Sequence, residues 1–431
     1  MKADSSRWLS AGEIVKGTSS GRLEPQAVVE SHLAAIDRID ATIHAFVHVD
    51  RKAKASQGRL AGVTLAVKDN LPVAGMPWTD GSAVWKDRVP KEDAAAVARA
   101  RAAGAAVIGK TNLPELAAAV GTTNALFPAT NNPWREGFTP GGSTGGSAAA
   151  VAAGMVTLGV GTDMGGSIRI PASCCGVVGL RPSPNRVPDD RPDAAGLSMV
   201  CPLGRKVADV RLLYSVLAGA PLPGRQQQLP VYRVGVVEST TLGIDAACAE
   251  ACRQACDTME ARGHRITPIP WESEPVAEGY GVVRRASMAS FPANPKRFAP
   301  GIRKLVEEGR KLGAVDYFEA FERASTSAFK TVTTPLLQDF DFLLTPTLGL
   351  TPMAIADVPA FLGGPYRRYI QFVLPVSFAH TPAISVPAGL HEGLPVGVQL
   401  VGRSGAEWEL LDLAEQLEES TGFGFQRPPA A

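Results

Sequence analysis

The chain has 431 residues, with 43 Lys+Arg against 42 Asp+Glu and a formal net charge of +1, a balance that argues against a nucleic-acid binder. Hydrophobic residues at 45% and charged residues at 20% are ordinary for a globular protein and exclude a mainly disordered one. The six cysteines and the polar start MKADSSRW, which lacks a signal-peptide pattern, lead to the expectation of a reduced, cytoplasmic protein.

In chain order, residues 8–40 read as two helices, the second opened by Pro25 and carrying Val28, Val29, Leu33 and Ile36 at helical spacing. Gly62–Lys68 reads as a buried strand ending in a lysine. Ala94–Ala103 is an Ala/Arg helix, Ala105–Ile108 a short strand and Ser147–Ala153 an alanine-rich helix. Further on, helices are expected at Val207–Ala218, Ala246–Arg262 and Glu407–Glu418. Strands are expected at Arg233–Val237, Arg265–Ile269, Phe342–Thr345, Ala383–Val386 and Val396–Val401. Residues 274–330 look mostly helical and more polar, a segment placed to cover a site. This alternation predicts an α/β fold: one large domain over 1–431 with a central sheet flanked by helices.

Charge is unevenly spread. Gly137 to Thr162 is a run of 26 residues without a charged side chain, where the overall 20% rate would place about five. The run is broken by Gly, Ser, Thr and Pro, and its apolar part at 148–158 is too short to span a membrane.

Several motifs compete for attention. GAAVIGKT (104–111) fits a phosphate-loop pattern, but its middle residues form the strand that should precede the first glycine. GGSTG (141–145) fits the nucleophile elbow of α/β-hydrolases, but Ser143 follows a loop; its histidine would have to be His264, His380 or His391. Ser327-Ala-Phe-Lys330 fits S-x-x-K, with a helical surface pair the simpler explanation. Cys248, Cys252 and Cys256 recur every four residues and read as a packed small-residue stripe, and Cys174-Cys175 as core. His44 and His48 lack the glutamate of a zinc-protease helix.

Three elements remain. Lys68 closes an apolar strand, where lost solvation favours the neutral amine. TPGGSTGGS (139–147) sets hydroxyls among glycines that let backbones approach closely. GTDMGGSIRIP (161–171) places Gly165 and Gly166 before Ser167, so that successive backbone N–H groups can converge on a developing oxyanion; Ser167 is then the nucleophile without a histidine.

These motifs resemble those of the amidase signature family, serine hydrolases with a Ser–cis-Ser–Lys triad. The core of the resemblance is GGSTGGSAAAVAAG (141–154) followed by GVGTDMGGSIRIPASCCGVVGLRPS (159–183). It extends to AVKDN (66–70), GKTNLPELA (109–117), TNNPW (130–134), FDFLLTPT (340–347), TPAISVPAG (381–389) and GLPVGVQLVG (393–402), and so to nearly the whole chain.

The resemblance implies a mixed central sheet and a set of roles: Ser167 as nucleophile, Ser143 as bridging serine after a cis Gly142–Ser143 bond, and Lys68 as base. It implies an oxyanion hole from the N–H groups of Met164, Gly165, Gly166 and Ser167. Thr144, Thr162, Asp163 and Arg169 match supporting positions; for the last three a purely structural hydrogen bond is an equal alternative. Thr144 stands where many members carry serine. No cofactor and no metal is implied.

The expected function is amide hydrolysis on small, fairly apolar amides, with esters or carbamates (urethanes) as side substrates and no nucleic-acid or membrane partner; a homodimer is allowed. The alternative is a glutaminase of the amidotransferase type, which works with a partner chain in Gln-tRNA synthesis. Arg169 stands one place earlier than in the malonamidase-like arrangement, and no arginine cluster lies near the motifs in sequence. Trp78, Phe127, Tyr280 and Phe372 are pocket candidates by rough position.

Overall fold

The computed structural model describes residues 6–193, 195–226, 228–359 and 363–429. The chain opens with helices α1 (Ala11–Ser19) and α2 (Pro25–Ile43). Side chains cap both: Ser10 Oγ accepts the Glu13 N–H, and the Glu24 carboxylate accepts that of Ala27. Pro25 lies in the first turn of α2, where a missing N–H costs nothing. Strands β1 (Phe46–Val49) and β2 (Thr64–Lys68), helix α3 (Ala95–Ala102) and strand β3 (Ala106–Thr111) follow. Next come α4 (Gly145–Ala152), β4 (Leu158–Asp163), α5 (Arg169–Cys175), β5 (Val178–Arg181), β6 (Met199–Gly204) and α6 (Val207–Ala218).

The second half comprises β7 (Arg233–Val236), α7 (Ala246–Ala261), β8 (Arg265–Pro268), α8 (Glu274–Ala289), α9 (Pro300–Gly309) and α10 (Ala314–Ala328). It continues with α11 (Thr334–Gln338), β9 (Phe342–Pro346), α12 (Gly364–Ile370), α13 (Val373–Phe378), β10 (Ala383–His391), β11 (Leu394–Gly402) and α14 (Glu407–Glu418).

The strands form one mixed sheet in the order β1-β3-β2-β4-β6-β5-β10-β11-β9-β7-β8. β2 runs parallel to both β3 and β4, whereas β4 pairs antiparallel with β6. The carboxyl ends of β2 and β4 therefore lie side by side, which brings Lys68 next to Thr162 and Asp163. Ligands favour this end of adjacent parallel strands. The fold is a single domain with helices flanking the sheet, as expected.

Differences from the expected elements have local causes. β3 extends through Gly109-Lys110-Thr111, so the Gly-Lys-Thr end of the phosphate-loop pattern lies within a strand. β5 has four residues, and β6 contains Pro202 and Gly204, both of which weaken a strand pattern. Cys248 and Cys252 pack in the core, as do Cys174 and Cys175, and all six cysteines are free thiols. Among the described residues no helix is long and apolar enough to cross a membrane.

The 274–330 segment is helical and packs tightly. α8 lies against α10 at Gly279, where an added Cβ would overlap the Ala320 carbonyl, and against α9 at Gly309, where it would overlap the Arg285 carbonyl. Overpacking of this kind costs typically 1–3 kcal/mol. Gly279→Ala should lower the thermal unfolding midpoint measurably; an unchanged melting curve would contradict this packing.

Candidate active site

The end of β2 carries the central group. Lys68 is fully buried, with its Nζ 2.7 Å from Ser143 Oγ and 3.0 Å from Thr162 Oγ1. A second buried lysine, Lys110 on β3, shows by contrast what Lys68 lacks. Lys110 Nζ lies 2.9 Å from Asp69 Oδ1 and also donates to the Pro77 carbonyl. The other Asp69 oxygen accepts the Thr79 N–H and hydroxyl. The carboxylate next to Lys68 in sequence is thus committed elsewhere. Burial pulls Lys68 from its ordinary value near 10.5 to about 7; the Asp163 charge opposes this and the Arg284 guanidinium reinforces it. The shift is a differential on the order of 5 kcal/mol in favour of the neutral amine.

Ser143 sits in the loop before α4, and the Gly142–Ser143 peptide bond is cis. The Thr144 N–H donates to the Ser167 carbonyl at 3.1 Å, which ties the two serine segments together. Ser143 and Ser167 line one cavity of about 550 Å³. Ser143 is hydrogen-bonded to Lys68, and no hydrogen bond joins its hydroxyl to that of Ser167. No histidine takes that place. His264 bonds the Tyr232 N–H and Gln416, and His380 lies in a turn near Gly196.

The turn after β4 is held by one carboxylate. Asp163 accepts Arg169 Nε and Nη2, each at 2.9 Å, and Arg181 Nη1 reaches both its carbonyl and, at 3.4 Å, its Oδ1. Burial alone would raise the Asp163 pKa, but the two guanidinium groups outweigh it and hold the carboxyl well below the usual range. Arg169 also donates to the Val373 carbonyl, Gln399 Oε1 and Ser377 Oγ. Arg169 therefore supports the turn from behind and is not available to a substrate.

One expected oxyanion donor is corrected by this arrangement. The Gly166 N–H donates to Asp163 Oδ1 at 2.8 Å and so is already engaged. The N–H groups of Met164, Gly165 and Ser167 have no hydrogen-bond acceptor among the described residues. Gly166 is required for another reason: its φ is +104°, and a Cβ would overlap Val373.

The supporting hydroxyls fall into place. Thr162 Oγ1 lies 2.9 Å from Asn70 Nδ2 as well as 3.0 Å from Lys68 Nζ. Thr144 Oγ1 donates to the Thr162 carbonyl at 3.2 Å, and its extra methyl occupies the space where a Cβ of residue 161 would be; glycine there makes room for it. Asn70, which had no role assigned from sequence, lines the cavity and positions Thr162. Its place in the AVKDN segment, two residues after Lys68, was the available signal.

Of the four pocket candidates, Tyr280 lines the cavity. Phe372 is core, and Trp78 stacks with Arg88 and Arg191 beside Asn70. Phe127 is not among the residues that line the cavity. The remaining lining comes from loops and from α8 and α10, including Leu116, Val283, Arg284, Phe291 and Tyr317.

Comparison with known proteins gives one family. A family model described as Amidase matches residues 27–411. The chain is 33% identical to a Glutamyl-tRNA(Gln) amidotransferase subunit of Synechococcus sp. (strain CC9311), over 96% of this chain and 97% of that one. Among solved structures, 6-aminohexanoate cyclic dimer hydrolase superposes with a TM-score of 0.90 at 27% identity, covering 98% of this chain and 99% of that one. A bacterial aryl acylamidase superposes with a TM-score of 0.86 at 24% identity, over 96% of both chains, which shows the shared fold alone. The chain belongs to the amidase signature family.

Proposed function

We propose that the chain is a free-standing serine amidase that hydrolyses the C–N bond of small amides through an acyl-enzyme, with esters and carbamates as side substrates. The observation that carries this reading is the buried Lys68, with its Nζ 2.7 Å from Ser143 Oγ and its pKa drawn to about 7 by burial. A neutral amine at that place is a base without a histidine.

In the proposed reaction Ser143 gives its proton to Lys68 and takes that of Ser167. Ser167 Oγ then attacks the amide carbon. The oxyanion rests on the N–H groups of Met164, Gly165 and Ser167, preorganised by the Asp163–Arg169 pair behind the turn. The tetrahedral centre collapses, the C–N bond breaks, and the proton carried through Ser143 goes to the leaving nitrogen. Water enters by the same relay in reverse, and the acid departs. The missing Ser143–Ser167 hydrogen bond closes when substrate fills the cavity, as catalytic contacts commonly tighten in the complex. Met164, Ala195, Tyr280, Val283 and Phe291 supply the apolar wall that a hydrocarbon substrate would meet, with α8 and α10 as its cover.

A second reading, the glutaminase component of an amidotransferase, is supported by the name of the Synechococcus relative. The protein purified alone decides between them: hydrolysis of a chromogenic anilide favours the free enzyme, whereas turnover that requires a partner chain and glutamine favours the amidotransferase component.

Ser167→Ala and Lys68→Ala should each lower kcat/KM by roughly three to six orders of magnitude with the fold intact by circular dichroism. Near-normal turnover in either would overturn the assignment. Because only the neutral amine accepts a proton, kcat/KM should be low while Lys68 is charged, rise with unit slope, and level off above about pH 7. A profile that is flat from about pH 5 to about pH 9 would contradict Lys68 as base.

A further inference from the structure

The cavity that holds Ser143 and Ser167 is also lined by Asp80, Asp193, Arg191 and Arg284, which come from distant parts of the sequence. Both carboxylates are already engaged. Asp80 is ion-paired with Arg88. Asp193 accepts the N–H groups of Ala195 at 3.0 Å and Ser198 at 2.6 Å. Arg191 is exposed; it donates to the Asn70 carbonyl at 2.8 Å, and its guanidinium lies 4.2 Å from the centre of the Trp78 ring.

Arg284 stands apart from these. It projects from α8 and is only 6% exposed. Nη2 donates to the Leu116 carbonyl at 2.7 Å, and Nη1 faces the Met164 thioether at 3.6 Å. Nε has no partner, and among the described residues no carboxylate forms an ion pair with this side chain within 4.0 Å. A guanidinium offers five N–H donors, and a thioether is a weak acceptor. A buried cation without a counter-charge is costly and seldom left so. The unmet demand borders Met164, the first residue of the oxyanion turn, and the apolar surfaces of Tyr280 and Val283 lie on the same helix.

We propose that Arg284 is a recognition residue for a carboxylate on the substrate, so that the preferred substrates are amides that carry an anionic group at the far end of a short hydrocarbon segment. The proposal rests on the amidase reading of the same cavity. It sharpens the expectation of a fairly apolar substrate: the apolar wall takes the hydrocarbon, and Arg284 takes its charged end. The cation was not visible from the motifs because it lies 117 positions beyond Ser167 in sequence. A planar fork that binds a carboxylate through two parallel N–H groups gives both energy and orientation.

The test compares kcat/KM of the full-length protein for two matched pairs. Glutaric acid mono-4-nitroanilide against valeric acid 4-nitroanilide places the charge on the acyl side. N-butyryl-4-aminobenzoate against butyranilide places it on the leaving group. The expected result is a charged-over-neutral preference of at least about ten-fold in one pair, which identifies the side. That ratio should fall at least about ten-fold in Arg284→Met and be partly restored in Arg284→Lys.

No preference in either pair overturns the proposal without recourse to any variant. An equal loss on both members in Arg284→Met also overturns it, because that outcome assigns Arg284 to holding the Leu116 carbonyl. If no compound is hydrolysed, the amidase reading fails separately. Calorimetric titration of Ser167→Ala with the glutaric anilide then decides the carboxylate site: binding that is lost on adding Arg284→Met supports it, and no binding to Ser167→Ala overturns it.

Discussion

The Asp163 carboxylate, clasped by Arg169 and Arg181 in a dry interior, is the interaction on which the site depends. It ends β4, turns the chain into α5, and through Arg169 reaches α13 and β11 across the sheet. A buried ion pair adds little net stability over an apolar replacement, but breaking one side of it leaves an uncompensated charge. Its value here is positional. One Asp163 oxygen holds the Gly166 N–H, and the other accepts the Ile168 N–H, which fixes the turn on either side of Ser167. The two arginines also absorb a negative charge that would otherwise act more strongly on Lys68.

That second effect explains the arrangement of charge around β2 and β3. Two lysines are buried on adjacent strands, and the register sets Val67 opposite Lys110 and Lys68 opposite Thr111. Asp69 serves Lys110, and hydroxyls alone serve Lys68. The run from 137 to 162 without a charged side chain belongs to the same design. α4 is buried along its whole length, and Gly145 and Gly146 pack where any Cβ would overlap Thr122 or Asn112. From Thr139 to Thr162 every residue of that run is buried, so a charge there would be desolvated.

Much of the site was legible in the sequence because it is built from local motifs. Lys68, Ser143, Ser167, Asp163 and Arg169 all lie in short segments that the sequence singles out, and the structure brings these segments together. The long helices were legible through their apolar period, and α14 has the bounds that its pattern predicts. What was not legible depends on contacts between distant segments. The loss of the Gly166 N–H to Asp163 is a matter of side-chain direction within a turn. Arg284 on α8 and Arg191 in the segment 182–193 reach the same cavity wall from parts of the chain far apart in sequence. β1, β5 and α13 are short, and short elements owe their form to their neighbours more than to propensity.

The fit of the Thr144 methyl over Gly161 limits the order in which this sequence can change. Loss of the methyl at 144, to serine, keeps the hydroxyl and leaves a small gap that a neighbour can fill. A methyl gained at 161 while threonine remains at 144 would place two carbons in one space, between the strand that bears Asp163 and the loop that bears Ser143. The two positions are coupled more tightly than the methyl alone implies: serine at 144 would remove the overlap with Cγ2 but leave a hydroxyl 2.8 Å from a Cβ at 161, so residue 161 stays glycine until residue 144 has given up both its methyl and its hydroxyl.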